Sequence, residues 1–328
     1  MKNAKFVICL AIAALVIAAC SSSPRSLNPP SSADSGPGVN TTFATTAEVL
    51  DAVKAAQQLQ TLPGDVKPSL QQSDQAGPRG HFDCTEPADN PSGAKVFGNC
   101  AYGDPHGTKL MVLYGDSRAC MWGSSLAGVA AKNGWKLMDF CLPGCPGPDL
   151  HFTSEQTKSP NDACDAFHTS AVTAIRNLHP QLVLVSSSGG ANSLTDGNEP
   201  TDDQWRDGWI STLAKLSQPG TKVAMIGVLP TWTTNDSRCL AAHSDDIQKC
   251  SATLDRAFPS ALRRAGEQAA ADRAGALYVS PQSWICADTC QPVIASIRVF
   301  NDNFHLTQSY ADYISGALSD ALQPVLQG

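Results

Sequence analysis

Basic residues are scarce and never cluster. The 328-residue chain has 23 Lys and Arg against 30 Asp and Glu, a formal charge of −7. A phosphate backbone is held by gathered Lys and Arg, so nucleic acid is excluded as a partner. Charged residues of both signs make up only 16% of the chain and aromatic residues 6%. After the N-terminus, no apolar run is long enough to cross a bilayer. No internal repeat is found, and no Gly-rich phosphate fingerprint follows a strand-like run. The tight Cys-x2-Cys pair typical of structural zinc is missing, although Cys141-x3-Cys145 and Cys286-x3-Cys290 approach it. No metal and no other cofactor is expected.

What is present begins at the N-terminus. Lys2 and Lys5 precede FVICLAIAALVIAAC, a run with the length and flanks of a secretory signal. It closes in Val16-Ile17-Ala18-Ala19-Cys20, the pattern of a bacterial lipobox. Residues 1–20 are therefore expected to be a lipoprotein signal peptide with Cys20 as the lipidation site; the alternative is a plain signal with a coincidental Cys. Residues 21–45 are rich in Ser, Pro and Gly. Such a segment cannot bury a core and is expected to be a flexible tether. Mature protein would then sit outside the cytoplasm, held to the membrane by lipid.

Cysteine usage agrees with export. Of 12 Cys, Cys9 lies in the signal and Cys20 at its end, leaving Cys84, Cys100, Cys120, Cys141, Cys145, Cys164, Cys239, Cys250, Cys286 and Cys290. An even number in an exported chain implies disulfides. Local pairs Cys84–Cys100, Cys239–Cys250 and Cys286–Cys290 are expected, with the other four pairing among themselves.

Residues 46–108 read as a helix over 46–60 followed by a Pro-broken, disulfide-containing extension. From Lys109 to the C-terminus, strand-like and helix-like blocks alternate. The strand candidates are KLMVLY, WKLMDF, QLVLVSS, KVAMIGVLP and ALYV. Helical stretches are expected near 118–132, 165–178, 202–216, 253–273 and 308–322. Continuous apolar strands separated by helices predict an α/β three-layer sandwich, with a parallel sheet of about five strands covered on both faces. In such sheets ligands bind beyond the carboxyl ends of the strands.

Three short pieces fall at such places: Gly115-Asp116-Ser117, Ser188-Gly189-Gly190-Ala191-Asn192 and Asn301-Asp302-Asn303-Phe304-His305. Each alone is a common turn sequence; together they have the parts of acyl-transfer chemistry. A serine hydroxyl needs a base to take its proton, and imidazole suits that near neutral pH. The other ring nitrogen needs a carboxylate, and Asp302 lies three residues before His305. The tetrahedral oxyanion then needs fixed donors. The Ser117 amide, a loop glycine amide and Asn192 could supply them. The Gly-x-Ser-x-Gly elbow of α/β-hydrolases is absent around Ser117, where Ala119 takes the second glycine's place. The remaining histidines, His81, His106, His151, His168, His179 and His243, lack the Asp-x-x-His setting and read as surface or packing residues.

This set resembles the SGNH hydrolases, and most of all the SGNH domains fused behind integral-membrane sugar O-acyltransferases. The likeness extends to TAEVLDAVKAAQQLQTLPGDVKPSL, to the Cys-rich loops and to FNDNFHLTQSYADYISGAL. It implies a flavodoxin-like SGNH catalytic domain over 109–328. Ser117 resembles the nucleophile, His305 the base and Asp302 its partner. The Ser117 amide, Asn192 and a loop glycine resemble the oxyanion hole, the glycine being Gly144 in preference to Gly147. Arg118 stands where many relatives carry His or another residue, a departure bearing on substrate choice. Ser193 follows Asn192 where many lipases carry Asp, which disfavours long-chain lipolysis. The implied activity is a cell-envelope serine esterase or O-acyltransferase acting on short acyl groups of glycans or glycolipids. Its partners would be that acylated glycan or glycolipid, the membrane through the lipid anchor, and for transfer a membrane acyl-donor protein. The alternatives are a secreted lipase or phospholipase, and an inactive glycan-binding lipoprotein in which Trp122, Trp205, Trp209 and Trp232 stack on sugars instead of filling the core.

Overall fold

The structure, a computed structural model, describes residues 43–74, 101–154, 157–189, 192–232, 236–258 and 260–327. The expected signal, the Cys84–Cys100 pair and residues 21–42 of the expected tether lie outside these residues; the last tether positions, 43–45, are instead packed onto the domain, with Ala44 buried and its amide donating to the Tyr313 carbonyl at 3.1 Å. Six strands form the central sheet: β1 (Ala101–Gly103), β2 (Lys109–Gly115), β3 (Trp135–Cys141), β4 (Leu182–Ser186), β5 (Lys222–Ile226) and β6 (Leu277–Val279). Their order is β1-β3-β2-β4-β5-β6. The last five in sequence run parallel, and β1 adds an antiparallel edge beside β3. Without that edge the order is the flavodoxin-like one, in which the chain leaves β2 on one side and returns on the other. The short edge strand was not expected from the sequence.

Strand side chains alternate faces, and the two faces have separate cores. Met111, Leu113, Leu137, Leu182, Leu184, Ala224 and Ile226 point to one side. There they meet α1 (Thr46–Ala56), α3 (Gly123–Asn133), α7 (Gln308–Tyr313) and α8 (Ser315–Leu326). Val112, Tyr114, Met138, Phe140, Val183, Val185, Val223 and Met225 point to the other. They meet α4 (Asp162–Leu178), α5 (Asp202–Leu216) and α6 (Ala261–Arg273). Each fully buried Val or Leu contributes about 1.5–3 kcal/mol relative to exposure. Trp122, Trp205, Trp209 and Trp232 are all buried in these cores, so none offers a face to a sugar. Leu59, Leu62, Val66 and Leu70 pack against Leu240, Ile247, Cys250 and Val293, joining the described part of the extension to the same unit.

Several helix limits differ from expectation for local reasons. Thr45 and Glu48 form a reciprocal capping box, so α1 starts where expected, but it closes at Gln57. The stretch expected as one helix over 253–273 is two. Phe258, before Pro259, is extended at φ −108°, ψ 153°, the conformation a following proline favours. Ser260 then caps α6. The expected 118–132 helix is α2 (Ser117–Cys120) followed by α3, and the last helix is divided into α7 and α8. Short ribbons over 289–290, 293–294 and 297–298 follow β6.

Among the described residues four disulfides are present: Cys120–Cys141, Cys145–Cys164, Cys239–Cys250 and Cys286–Cys290. The two expected local pairs that fall among the described residues formed, and the remaining four cysteines paired with one another. Among the described residues no helix is long and apolar enough to cross a membrane.

Candidate active site

The ends of β2, β3 and β4 lie side by side, with Gly115 opposite Cys141 on one flank and Ser186 on the other. This is the point where the chain's direction across the sheet reverses. Only glycine fits at the end of β2. Gly115 has φ +148°, and a Cβ there would sit 1.9 Å from the Ser186 carbonyl oxygen. The chain then turns sharply, and Asp116 caps the first turn of α2 through a 2.8 Å bond from the Arg118 amide to its Oδ1. Its Oδ2 accepts the Ser187 hydroxyl and the Ser188 amide, both at 2.8 Å. Asp116 thus fastens the loop after β2 to the loop after β4, and Ser117 opens the helix between them.

The segment 300–306 approaches from the C-terminal side. Phe300 and Leu306 bridge, and the Asn301 amide donates to the His305 carbonyl at 2.8 Å, closing a tight loop. The Trp232 amide donates to the Asn303 carbonyl at 2.9 Å, tying that loop to the turn after β5. Within it, Asp302 Oδ1 accepts the amides of Phe304 and His305, each at 2.7 Å. Asp302 Oδ2 lies 2.9 Å from His305 Nδ1. His305 Nε2 lies 3.0 Å from Ser117 Oγ. An Nδ1–H tautomer satisfies both contacts, donating to Asp302 and accepting from the serine hydroxyl. Burial pushes the Asp302 carboxyl up, but bonds from the His305 ring and the two amides outweigh it and hold the group below the ordinary carboxylate value.

The loop after β3 supplies the glycine candidates. The Leu142 amide donates to the Gly115 carbonyl at 2.9 Å, which lays the start of this loop against the serine turn. Gly144 has φ +78°, and a Cβ there would meet open space. Gly147 is packed against the Trp209 ring, and its amide donates to Ser187 Oγ at 3.0 Å. The amide of Gly147 is therefore engaged. Asn192 is buried in the loop after β4. Cys120–Cys141 joins α2 to the end of β3, and Cys145–Cys164 joins the glycine loop to α4. Cys145, Cys164 and His168 stand within metal-ligand distance of one another, but the two sulfurs are bonded to each other.

The family model described as the SGNH domain (fused to AT3 domains) matches residues 83–320. The chain belongs to the SGNH family. No curated protein matches it. Among solved structures, this SGNH domain is similar to the periplasmic domain of the lipopolysaccharide acetyltransferase of Salmonella serovar Paratyphi A. The identity is 15%, over 73% of this chain and 90% of that one, with a TM-score of 0.54, a likeness of fold. A Bacteroides fragilis protein assigned as an acylhydrolase aligns at 17% identity over 71% of this chain and 95% of that one, with a TM-score of 0.44.

The SGNH domain brings Ser117, His305 and Asp302 together from the two ends of the sequence. Sequence reasoning missed the part played by Asp116 and Ser187, because a Gly-Asp-Ser tripeptide gives no sign of partners some seventy residues away. His106, His151 and His179 are exposed, while His168 is buried beside the Cys145–Cys164 sulfurs. Cys20, Cys84, Cys100 and His81 lie outside the described residues.

Proposed function

We propose that the protein is a serine esterase or O-acyltransferase that handles short acyl groups on envelope glycans or glycolipids. The observation that carries this reading is the unbroken Ser117–His305–Asp302 hydrogen-bond relay at the carboxyl ends of the strands. Ser117 Oγ attacks the ester carbonyl carbon while its proton passes to His305 Nε2. The charge on the carbonyl oxygen is met by the Ser117 and Gly144 amides and the Asn192 side chain. Collapse breaks the bond to the leaving alcohol, which takes the proton back from His305 and leaves an acyl-serine. Water or a sugar hydroxyl, deprotonated by the same imidazole, then attacks the acyl carbon; water gives hydrolysis and a sugar gives transfer. Asp302 stays ionised throughout, fixing the ring and stabilising the imidazolium.

Burial of all four candidate Trp side chains weighs against a sugar-stacking binding protein. The disulfides favour an oxidising compartment outside the cytoplasm, and a lipid at Cys20 would hold the domain near membrane-bound donors or acceptors. The test is hydrolysis of p-nitrophenyl acetate and longer esters by the full chain in detergent, beside its Ser117→Ala variant. We expect serine-dependent release that falls with acyl length. Equal release by both proteins would overturn the reading. In cells, Cys20→Ala should move the protein from the membrane to the soluble fraction, and unchanged membrane association would remove the lipid anchor.

A further inference from the structure

Arg118 follows the candidate nucleophile and is buried, with 2% of its surface exposed. A guanidinium presents five N–H donors in a rigid plane and cannot turn one end without moving the other. Nη1 donates to the carbonyls of Leu229 at 2.9 Å and Pro230 at 3.3 Å, in the turn after β5. Nε and Nη2 are equally buried, yet have no acceptor among the described residues. The carboxylates nearest in the chain and the site are committed elsewhere. Asp116 holds the Arg118, Ser187 and Ser188 donors, and Asp302 holds His305 and two amides. Burial pushes Arg118 down to about 10, which still leaves it charged at neutral pH. A clasp on two carbonyls uses one nitrogen; it does not account for a buried cation with two idle ones. Leaving such donors buried without a partner is costly, and more so for a charged group.

The idle edge has a definite chemistry. Nε and Nη2 present parallel N–H bonds, the arrangement that takes both oxygens of a carboxylate or two of a phosphate. Arg118 also lines a cavity of about 370 Å³ with Ser188, Thr231, Phe258, Arg263 and Phe304. The other guanidinium there is matched, Arg263 Nε lying 2.9 Å from Asp202 Oδ1. Glu199, on the rim, is exposed to solvent. The Phe304 ring stands over the Arg118 guanidinium with its centroid 5.9 Å away, lines the same cavity and is itself 47% exposed.

We propose that the Nε–Nη2 edge of Arg118 is a subsite for an anionic group, a carboxylate or a phosphate, carried by the substrate whose ester lies at Ser117. The anion can belong to the acyl part, as in a dicarboxylate half-ester, or to the glycan, as in a uronic acid or sugar phosphate. This deepens the esterase reading and rests on it for the link between subsite and turnover.

The test uses the full chain in detergent and two matched ester pairs. Mono-p-nitrophenyl succinate against p-nitrophenyl butyrate places the anion on the acyl side. O-acetylated glucuronic acid against O-acetylated glucose places it on the glycan side. In at least one pair we expect kcat/KM for the anionic ester to exceed that for its neutral partner tenfold or more. Arg118→Lys, which keeps a charge but loses the fork, should reduce that ratio at least tenfold, mainly through KM. A wild-type ratio near or below one in both pairs overturns the subsite and leaves Arg118 as a clasp on Leu229 and Pro230. This wild-type comparison decides even if the variant does not fold. Calorimetric titration of Ser117→Ala with succinate, glucuronate and inorganic phosphate separates the two readings. Binding that vanishes when Arg118→Lys is added, with no serine-dependent turnover of any ester, upholds the subsite and rejects the esterase. Turnover without preference or binding does the reverse.

Discussion

His305 Nε2 lies 3.0 Å from Ser117 Oγ across 188 residues of sequence, whereas the carboxylate that orients the ring is three residues away. In the proposed mechanism the long-range contact activates the nucleophile, and the local one sets the tautomer. Asp302→Asn should therefore keep the fold and lower kcat by about 10²- to 10⁴-fold, because an amide no longer fixes Nδ1–H toward itself. Steady-state kinetics with a short aryl ester checks this; a loss under threefold would remove Asp302 from the relay.

The same carboxylate predicts an acid limb in stability. Its pKa is held below the ordinary value of about 3.9, so its contribution is complete above about pH 4 and is lost as the pH falls through the lower, folded value. Thermal unfolding of Asp302→Asn should decline less steeply than wild type between about pH 4 and pH 2. Parallel curves would contradict the assignment.

Gly115→Ala places a methyl against the Ser186 carbonyl at a φ that L-residues rarely adopt. We expect a loss of about 3 kcal/mol or more, lowering Tm by about 6–12 °C. A variant that melts within 2 °C of wild type, to take a round figure of about the smallest meaningful shift, would mean that β2 and β4 can separate at this row.

The two loop glycines should separate cleanly. Gly144→Ala meets open space, so its cost is the positive φ alone, about 1–2 kcal/mol, with kcat falling if its amide faces the oxyanion. Gly147→Ala would drive a methyl to 2.6 Å from the Trp209 ring and should lose about 1–3 kcal/mol by overpacking. Melting curves beside kcat for both variants test this, and a larger kcat loss in a well-folded Gly147→Ala would exchange their roles.

Replacing both Cys120 and Cys141 by Ala releases α2 from the end of β3, a crosslink spanning 21 residues. The expected cost is about 3 kcal/mol. Activity should fall further than stability alone explains, because Ser117 sits one turn before Cys120. Kinetics well below the melting transition would tell the two effects apart.

Much of this was legible in the sequence wherever the signal is local. The apolar runs of β2 to β6 and the Thr201-capped α5 are self-contained patterns, and their order dictates the layered fold. The three residues of β1 carry no such pattern, and pair only because β3 leaves an edge open. The break at Phe258 was written in Pro259, but an amphipathic period continuing on both sides concealed it. The meeting of Ser117, His305 and Asp302 was legible because Asp302 and His305 are neighbours and Gly-Asp-Ser follows a strand. The Asp116 bonds to Ser187 and Ser188, and the idle edge of Arg118, depend on which distant loops meet. No local pattern encodes that.

Asp302 and His305 occupy one closed loop, hydrogen-bonded where its ends meet, so the candidate base and its partner travel together. Alignment of the relay then reduces to a single coordinate, the displacement of that loop from the turn that bears Ser117. Three groups drawn from three separate strands would have two independent gaps to hold. Here the Leu306 amide, 3.0 Å from Met121 Sδ at the end of the serine helix, spans the one gap that matters. Thermal motion that leaves this span intact leaves the whole relay in register.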